Sequence, residues 1–556
     1  MQLFGTDGIR GEVIFNLESD DEAINKLTKS RQISPRLFRL IGEGVGATID
    51  VGSTVVIGWD NRKGNEQLVA NLTVGFHLRG INVIHVGEVA TPGLNASMLL
   101  HKATIGCMIT ASHNAHSDSG IKIFDRFGFK TMPEYEREIS NIVIQLSTEE
   151  REVDSPDFEM FAQPDLVIDG SDIHRNTLEA RLQVFRNVFS GGGQTTNSPF
   201  NNKIILDLSG GPGRHWNINW LNNVGFNCIG CADPSAINYH CGAGLYSPSD
   251  AWTWDEILDC KENLLFKQIS AQYSIGELKI MPKGTIIAAA LDGDGDRCLI
   301  FEVNSNSSGL AVVDGDQIAN TLLYSSSLQS TQKWHLATSI EADLGIANGQ
   351  QGITIHTTGV GDRWLSKCLS EIEERNCDLR KSAQMPRLLG CEDSGHIVIP
   401  VQKPHNNEEW SLVGDGLATF IAYLCAKENV YSAENKMQLQ FTKGWKTRVS
   451  VKESNRDLWD GKNQLANHVE KIVGNEFNSW GATNIELMDI IGENNLLFIK
   501  SEIKDVSLFL GIRNSGTEAK TNITLRLPPA LNDFSERGEL LVKTLHKELV
   551  EALCNN

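Results

Sequence analysis

Short apolar runs, each closing on a small polar loop and separated from the next by a longer amphipathic stretch, set the frame for this chain. Residues 53–58 (STVVIG), 81–86 (INVIHV), 105–110 (IGCMIT), 203–208 (KIILDL) and 285–290 (TIIAAA) are of this kind. Runs of this length between helical segments suit parallel strands covered on both faces by the intervening helices. The rhythm predicts an α/β fold. At 556 residues the chain exceeds what one core holds, and its length suggests roughly three to four domains. Polar and turn-rich stretches divide it into expected units at 1–165, 166–308, 309–435 and 436–556. A helix is expected over 178–189, strands over 335–340 and 352–356, and a further segment over 388–400. The last unit has strand-like runs at 447–451, 496–500 and 506–510. Its closing helix is marked by Leu541, Leu545 and Leu549 at i, i+4 spacing.

The net charge is −20, from 50 basic and 70 acidic residues, which argues against a nucleic-acid partner. Substrate phosphates would need local basic clusters against that field. No apolar run approaches the roughly 20 residues of a membrane helix, and no basic-then-apolar leader opens the chain. No membrane association and a cytoplasmic location are therefore expected. The 11 cysteines, odd in number and scattered, suit free thiols better than a disulfide framework. Cys228, Cys231, His240 and Cys241 have zinc-like ligand types, but the second pair lacks the usual separation. They are read as packed side chains in and beside a strand.

Two segments carry most of the chemistry. Asp292-Gly293-Asp294-Gly295-Asp296-Arg297 follows a strand directly and offers three carboxylates at alternate positions. An EF-hand would need glycine at its sixth position and glutamate at its twelfth, where Arg297 and Val303 stand. Three carboxylates on one short loop repel each other without a cation, so a hard divalent ion, Mg2+, is the natural partner; the bland alternative is an acidic surface turn. Thr110-Ala111-Ser112-His113-Asn114 offers a hydroxyl after an apolar strand, with Lys122 ten residues beyond Ser112. A serine capping a following helix would explain the same residues. No Gly-x-Ser-x-Gly elbow supports an esterase, and neither a Walker loop nor a dinucleotide fingerprint is present. A hydroxyl that can carry phosphate and a carboxylate cage for the ion that neutralises it are two halves of phosphoryl transfer.

Three weaker segments fit that chemistry. Gly5-Thr6-Asp7-Gly8-Ile9-Arg10-Gly11 exposes backbone amides beside a guanidinium, although a tight turn would explain it equally well. Arg513-Asn514-Ser515-Gly516-Thr517-Glu518 combines a guanidinium, hydroxyls and exposed N–H groups into a phosphate clamp. Its alternative is a helix N-cap with Glu518 as the capping-box acid. Glu392-Asp393-Ser394-Gly395-His396 supplies groups suited to sugar hydroxyls, with Gly359-Val360-Gly361-Asp362-Arg363 before it.

In this order the five segments resemble the α-D-phosphohexomutase superfamily, across nearly the whole chain. Phe4-Gly5-Thr6-Asp7-Gly8, Val313-Asp314-Gly315-Asp316-Gln317-Ile318 and Ser394-Gly395-His396 after Glu392 are most similar to the bacterial phosphoglucosamine mutases. The resemblance implies four domains around a central cleft, three mixed α/β and the last a smaller sheet-and-helix unit. It also implies an enzyme in which phosphorylated Ser112 donates its phosphoryl group to a hexosamine 6-phosphate. A hexose or hexosamine 1,6-bisphosphate is then the intermediate and activator. Asp292, Asp294 and Asp296 would hold Mg2+ together with the Ser112 phosphate, and Arg297 would steady that phosphate. Arg10, His113 and Lys122 would surround the transferring group, with Lys122 or His113 moving the proton. Glu392, Ser394 and His396 would meet the sugar. Arg513, Ser515, Gly516 and Thr517 would grip the non-reacting phosphate. A monomer or homodimer acting on a small sugar phosphate is expected.

Some positions depart from the pattern. Ala115 replaces a common proline, Trp59 an arginine, Ala519 a proline, and Asn522 a frequent second arginine, with Lys520 and Arg526 as candidate substitutes. Extra length falls at 189–200 and 258–280. Glucosamine phosphate is the preferred substrate on this reading, with mannose and glucose phosphates as alternatives. A metal-dependent phosphatase and a non-catalytic sugar-phosphate binder are the competing classes.

Overall fold

The structure, a computed structural model, describes residues 3–5, 7–17, 19–149, 158–190, 202–304, 306–374, 377–432, 441–515 and 519–554. Four main sheets organise those residues. In the first, Thr54–Trp59 runs parallel between Asn82–Glu88 and Ile105–Ile109, and Asp118–Asp125 returns antiparallel beside the latter. Ile105–Ile109 is buried at every position, as its unbroken apolar run requires when helices cover both faces. In the second sheet Ile286–Leu291 lies parallel to Ile204–Asp207 and antiparallel to Cys298–Val303. The third pairs Trp334–Ser339 with Ile353–Thr358 and Leu388–Cys391 in parallel. The fourth is antiparallel throughout, in the order Trp445–Lys452, Lys520–Leu527, Val506–Asn514, Leu496–Ile503, Thr483–Leu487.

Helix Ser535–Cys554 covers the fourth sheet with Leu541, Leu545 and Leu549 buried. Each such side chain contributes about 1.5–3 kcal/mol of apolar burial. The helix expected from 178 begins earlier, at Gly170, because Asp169 accepts the Ser171 N–H at 2.9 Å and caps it. Its apolar face (Leu178, Leu182, Phe185) joins Leu322, Leu417 and Ile421 in one continuous core beneath the second and third sheets.

Three local expectations change. Strand Gly309–Val313 pairs into the second sheet, so that sheet runs past residue 308. The segment 388–400 is two strands, Leu388–Cys391 and Ile397–Lys403, folded on the hairpin that carries Glu392 and His396. The added length at 258–280 forms helices Leu264–Gln272 and Ile275–Ile280, which bury Leu265, Phe266, Ile269 and Leu278 against the second sheet. Most of the other addition, from 191 onward, lies outside the described residues. Among the described residues no helix is long and apolar enough to cross a membrane.

Candidate active site

Ser112 sits where the first sheet delivers it, in a turn between two antiparallel strands. No helix follows, so the capping reading of this serine falls. Its φ is +53°, a left-handed conformation that costs a non-glycine residue on the order of 1 kcal/mol or more and persists only where neighbours over-determine it. Here they do. Arg62 donates to the carbonyl oxygens of Ser112 (2.5 Å), Ala115 (2.5 Å) and Asp118 (2.9 Å). Asn238, from the second unit, donates to those of Ser112 and Asn114 at 2.7 and 2.8 Å. Buried Asp60 aims the Arg62 fan through a 2.9 Å contact and accepts the Thr110 hydroxyl at 2.7 Å. Held this way, Ser112 is fully buried and its hydroxyl donates to Asp292 Oδ2 at 2.7 Å.

The aspartate loop meets it from the second sheet. Strand Ile286–Leu291 ends on Asp292, and Gly295 takes φ +73° to reverse the chain. A side chain on Gly293 would strike the Ser112 carbonyl at 2.5 Å, so the glycine is what lets the two loops touch. One carboxylate oxygen from each of Asp292, Asp294 and Asp296 lies within 4.8 Å of the others. All three side chains are buried, and Asp294 Oδ1 and Asp296 Oδ1 lack hydrogen-bonding partners. Orphaned, buried, oxygen-only ligands beside a serine hydroxyl fit a hard divalent cation. Burial and then the Asp296 and Asp294 charges push the Asp292 carboxyl up to about 7.

Lys122 enters the same cage from strand Asp118–Asp125. Its Nζ lies 2.6 Å from Asp294 and 2.8 Å from Asp296. Although burial opposes its charge, Asp294, Asp296 and Asp7 hold it well above the usual lysine range. Lys122 is therefore held as an ammonium. His113 projects into the cleft, where desolvation and then the charges of Arg297, Arg10 and Lys122 push its imidazole down to about 3. Arg10 meets Asp7 at 2.5 Å and donates to the Ala111 carbonyl at 3.1 Å. Arg297 reaches Asp292 at 3.9 Å and Asp296 at 4.0 Å.

The hairpin of Leu388–Cys391 and Ile397–Lys403 presses against this loop, with Cys298 donating its N–H to the Gly395 carbonyl at 3.0 Å. His396 is buried between Asp362 (3.2 Å) and Asp296 (3.6 Å). Burial alone would lower its pKa, but those two carboxylates raise it. Glu392 accepts the Gly361 N–H at 2.7 Å, and the Ser394 hydroxyl oxygen is buried without a partner. Across the cleft, Arg513 and Asn514 sit at the end of a strand, and Lys520 opens the strand antiparallel to it. Ser515 lines the cleft, while Gly516, Thr517 and Glu518, like Thr6, lie outside the described residues. Arg526 is no substitute clamp: it is buried, stacked over Phe509 at 5.0 Å, and donates to the Ala342 carbonyl at 2.9 Å. The cleft has a volume of about 740 Å³ and draws lining residues from all four units, among them Arg10, His113, Arg297, Glu392, His396, Arg513 and Ser515.

Several site residues escaped sequence reasoning. Thr91 donates both its N–H (2.9 Å) and its hydroxyl to Asp294, yet in sequence it is an ordinary helix-initial threonine. Lys130 bridges Asp7 and Asp362 at 2.8 Å each, and Arg62 and Asn238 reach the Ser112 turn through its backbone carbonyls. The Asp60-x-Arg62 pair after an apolar strand was the one usable signal.

Residues 1–150 match the family model for phosphoglucomutase/phosphomannomutase, alpha/beta/alpha domain I. The phosphoglucosamine mutase of Francisella tularensis subsp. holarctica (strain FTNF002-00 / FTA) is 25% identical over 483 residues, covering 85% of this chain and 90% of its own. That of Neisseria meningitidis serogroup A / serotype 4A is 26% identical over 439 residues, covering 77% and 80%. Over most of its length the chain is thus similar to phosphohexomutases. Its mixed α/β architecture, with four main sheets, is that of solved phosphohexomutases. Parafusin, the phosphoglucomutase of Paramecium, superposes with a TM-score of 0.64 at 16% identity, covering 99% of this chain and 95% of that one. The N-acetylphosphoglucosamine mutase of Aspergillus fumigatus, solved with GlcNAc-6P and magnesium, gives 0.54 at 13% identity, covering 99% and 96%.

Proposed function

We propose that this chain is a phosphohexomutase and interconverts glucosamine 6-phosphate and glucosamine 1-phosphate through a phosphoserine at Ser112. One observation carries the reading: the buried Ser112 hydroxyl lies 2.7 Å from Asp292 Oδ2, and its neighbours His113 and Asn114 line a cleft that Arg513 also lines. The Francisella and Neisseria relatives, named phosphoglucosamine mutases, support the choice of sugar.

In this mechanism a sugar hydroxyl attacks the phosphorus on Ser112, the P–Oγ bond breaks, the proton lost by the hydroxyl is matched by one gained at Oγ, and a bisphosphate forms. The intermediate turns in the cleft and its other phosphate returns to Oγ. Little covalent work falls to the protein; positioning and charge stabilisation dominate phosphoryl transfer. Asp292, Asp294 and Asp296 would hold Mg2+, which supplies charge neutralisation for the transferring group when bound. Arg10, Arg297 and His113 stand around that group. Lys122, protonated, matches the charge that develops as the P–Oγ bond breaks. Glu392, Ser394 and His396 would orient the sugar hydroxyls. Ser515, Gly516 and Thr517 would join Arg513 on the non-reacting phosphate. The four units 1–165, 166–308, 309–435 and 436–556 would each contribute one of these loops, and a hexose or hexosamine 1,6-bisphosphate would prime Ser112.

An isomerisation assay with glucosamine, mannose and glucose 6-phosphates, Mg2+ and catalytic bisphosphate tests the assignment. Glucosamine 6-phosphate is expected to show the highest kcat/KM. A preference for glucose or mannose 6-phosphate would move the chain to another branch. Release of free phosphate in place of an isomer would make it a phosphatase.

The cage has a readout independent of turnover. Saturating Mg2+ or Mn2+ is expected to raise the thermal unfolding temperature, since an ion at a hundredfold its Kd stabilises the native state by about 2.7 kcal/mol. EDTA should reverse the shift, and Asp294→Asn should remove most of it. Equal shifts in wild type and Asp294→Asn would exclude the cage as the metal site.

A further inference from the structure

The fourth sheet sets Arg513 opposite Asn522 and Asn522 opposite Ser450, so these three side chains share one face. Arg448, two residues along the strand from Ser450, shares it as well. All four residues line the cleft. Asn522 accepts the Ser450 hydroxyl at 2.7 Å and brings no charge to this face. Arg448 behaves differently. Its side chain is 57% exposed, yet its Nη1 lies 2.8 Å from Glu341 Oε2. Arg513 Nη2 lies 3.1 Å from Glu341 Oε1. Two guanidiniums from different strands thus converge on the two oxygens of one carboxylate, a geometry that equally suits two oxygens of a phosphate. Against the burial that would raise it, Arg513 and Arg448 hold the Glu341 carboxyl below its usual range. Glu493, 3.9 Å from Arg513, adds a second acid on the far side.

We propose that Arg448 is the second guanidinium of the clamp for the non-reacting phosphate, and that Glu341 is the clamp's internal placeholder, displaced when a sugar phosphate arrives. The inference rests on the mutase reading and deepens it. A phosphate dianion carries up to twice the charge of the carboxylate it displaces and repels that carboxylate as it enters, so exchange runs toward substrate. The placeholder also answers a need of the mechanism. A bisphosphate that must turn round between its two transfers has to leave the clamp, and a carboxylate that takes its place keeps both arginines aimed while it does so.

The test uses the full chain in a Ser112→Ala background, so that binding is read without turnover, with calorimetric titration of glucosamine 6-phosphate and of unphosphorylated glucosamine. Arg448→Gln is expected to weaken the phosphorylated sugar about ten- to a hundredfold, the range for a hydrogen bond between charged groups, and to leave the unphosphorylated sugar unchanged. Arg448→Lys should fall between, because it keeps the charge and loses the fork. Glu341→Gln should tighten sugar phosphate, since it removes a competitor; a merely structural ion pair would weaken it. Binding by Arg448→Gln within twofold of the parent, or weaker binding by Glu341→Gln, would overturn the proposal. Interconversion of hexose phosphates by the wild-type chain would then still uphold the mutase reading. A wild-type chain that neither binds nor interconverts them would refute both.

Discussion

Replacing Ser112 with alanine is expected to abolish sugar-phosphate interconversion, by at least about 10⁴-fold, while leaving the fold and sugar-phosphate binding in place. The hydroxyl is the only group on its loop that both faces the carboxylate cage and can carry a phosphoryl group; its neighbours are a buried alanine and an imidazole held neutral. Structural cost should be small. The variant loses one hydrogen bond to Asp292, worth about 0.5–1.5 kcal/mol, and the Asp292 carboxyl, pushed up to about 7, can take the proton that compensates. The left-handed turn is held by Arg62 and Asn238 through backbone carbonyls, which alanine retains. Thermal unfolding and glucosamine 6-phosphate titration should therefore resemble wild type. Intact-mass analysis after incubation with a hexose bisphosphate should show a phosphoryl group on wild type only. Measurable turnover in the alanine variant would remove Ser112 from its role.

Much of this site could be read from residue order, because its chemistry is concentrated in short loops after apolar strands. The Asp292–Arg297 loop and the Ser112 turn announce themselves by residue type, and strand endings in an α/β sheet are where ligands gather. Their approach to hydrogen-bonding distance across 180 residues depends on Gly293, whose missing side chain admits the Ser112 carbonyl. The supports were not legible. Asn238 and Thr91 touch the catalytic loops from other units through contacts that leave no local pattern, and Lys130 is one lysine among many until Asp7 and Asp362 flank it. The helix reading at Ser112 failed for a physical reason. Serine or threonine followed by a polar residue suits a helix cap and a tight strand-to-strand turn alike, and only the pairing partner decides. Arg526 failed as a clamp candidate because residues that alternate onto the cleft face can still be buried there, in this case beneath Phe498 and Phe509.

Lys122→Met is expected to act on stability and activity in opposite relation to added metal. In the metal-free chain the ammonium is the main counter-charge for Asp294 and Asp296, and all three groups are buried. Removing one partner of such a cluster leaves uncompensated charge and costs about 3–5 kcal/mol. The unfolding temperature in EDTA should therefore fall well below that of wild type. A divalent ion can replace the lost charge, so Mg2+ should bind the variant more tightly than wild type and recover most of the lost stability. Turnover should stay low even at saturating Mg2+, because the ion restores charge to the cage but supplies no ammonium to meet the breaking P–Oγ bond. Comparing Lys122→Met with Asp294→Asn and with the double variant separates the terms. The two changes should be strongly non-additive in EDTA, since each removes one side of the same contact. If Mg2+ failed to stabilise Lys122→Met beyond its effect on wild type, lysine and metal would not be sharing these carboxylates, and the cage would need another ligand set.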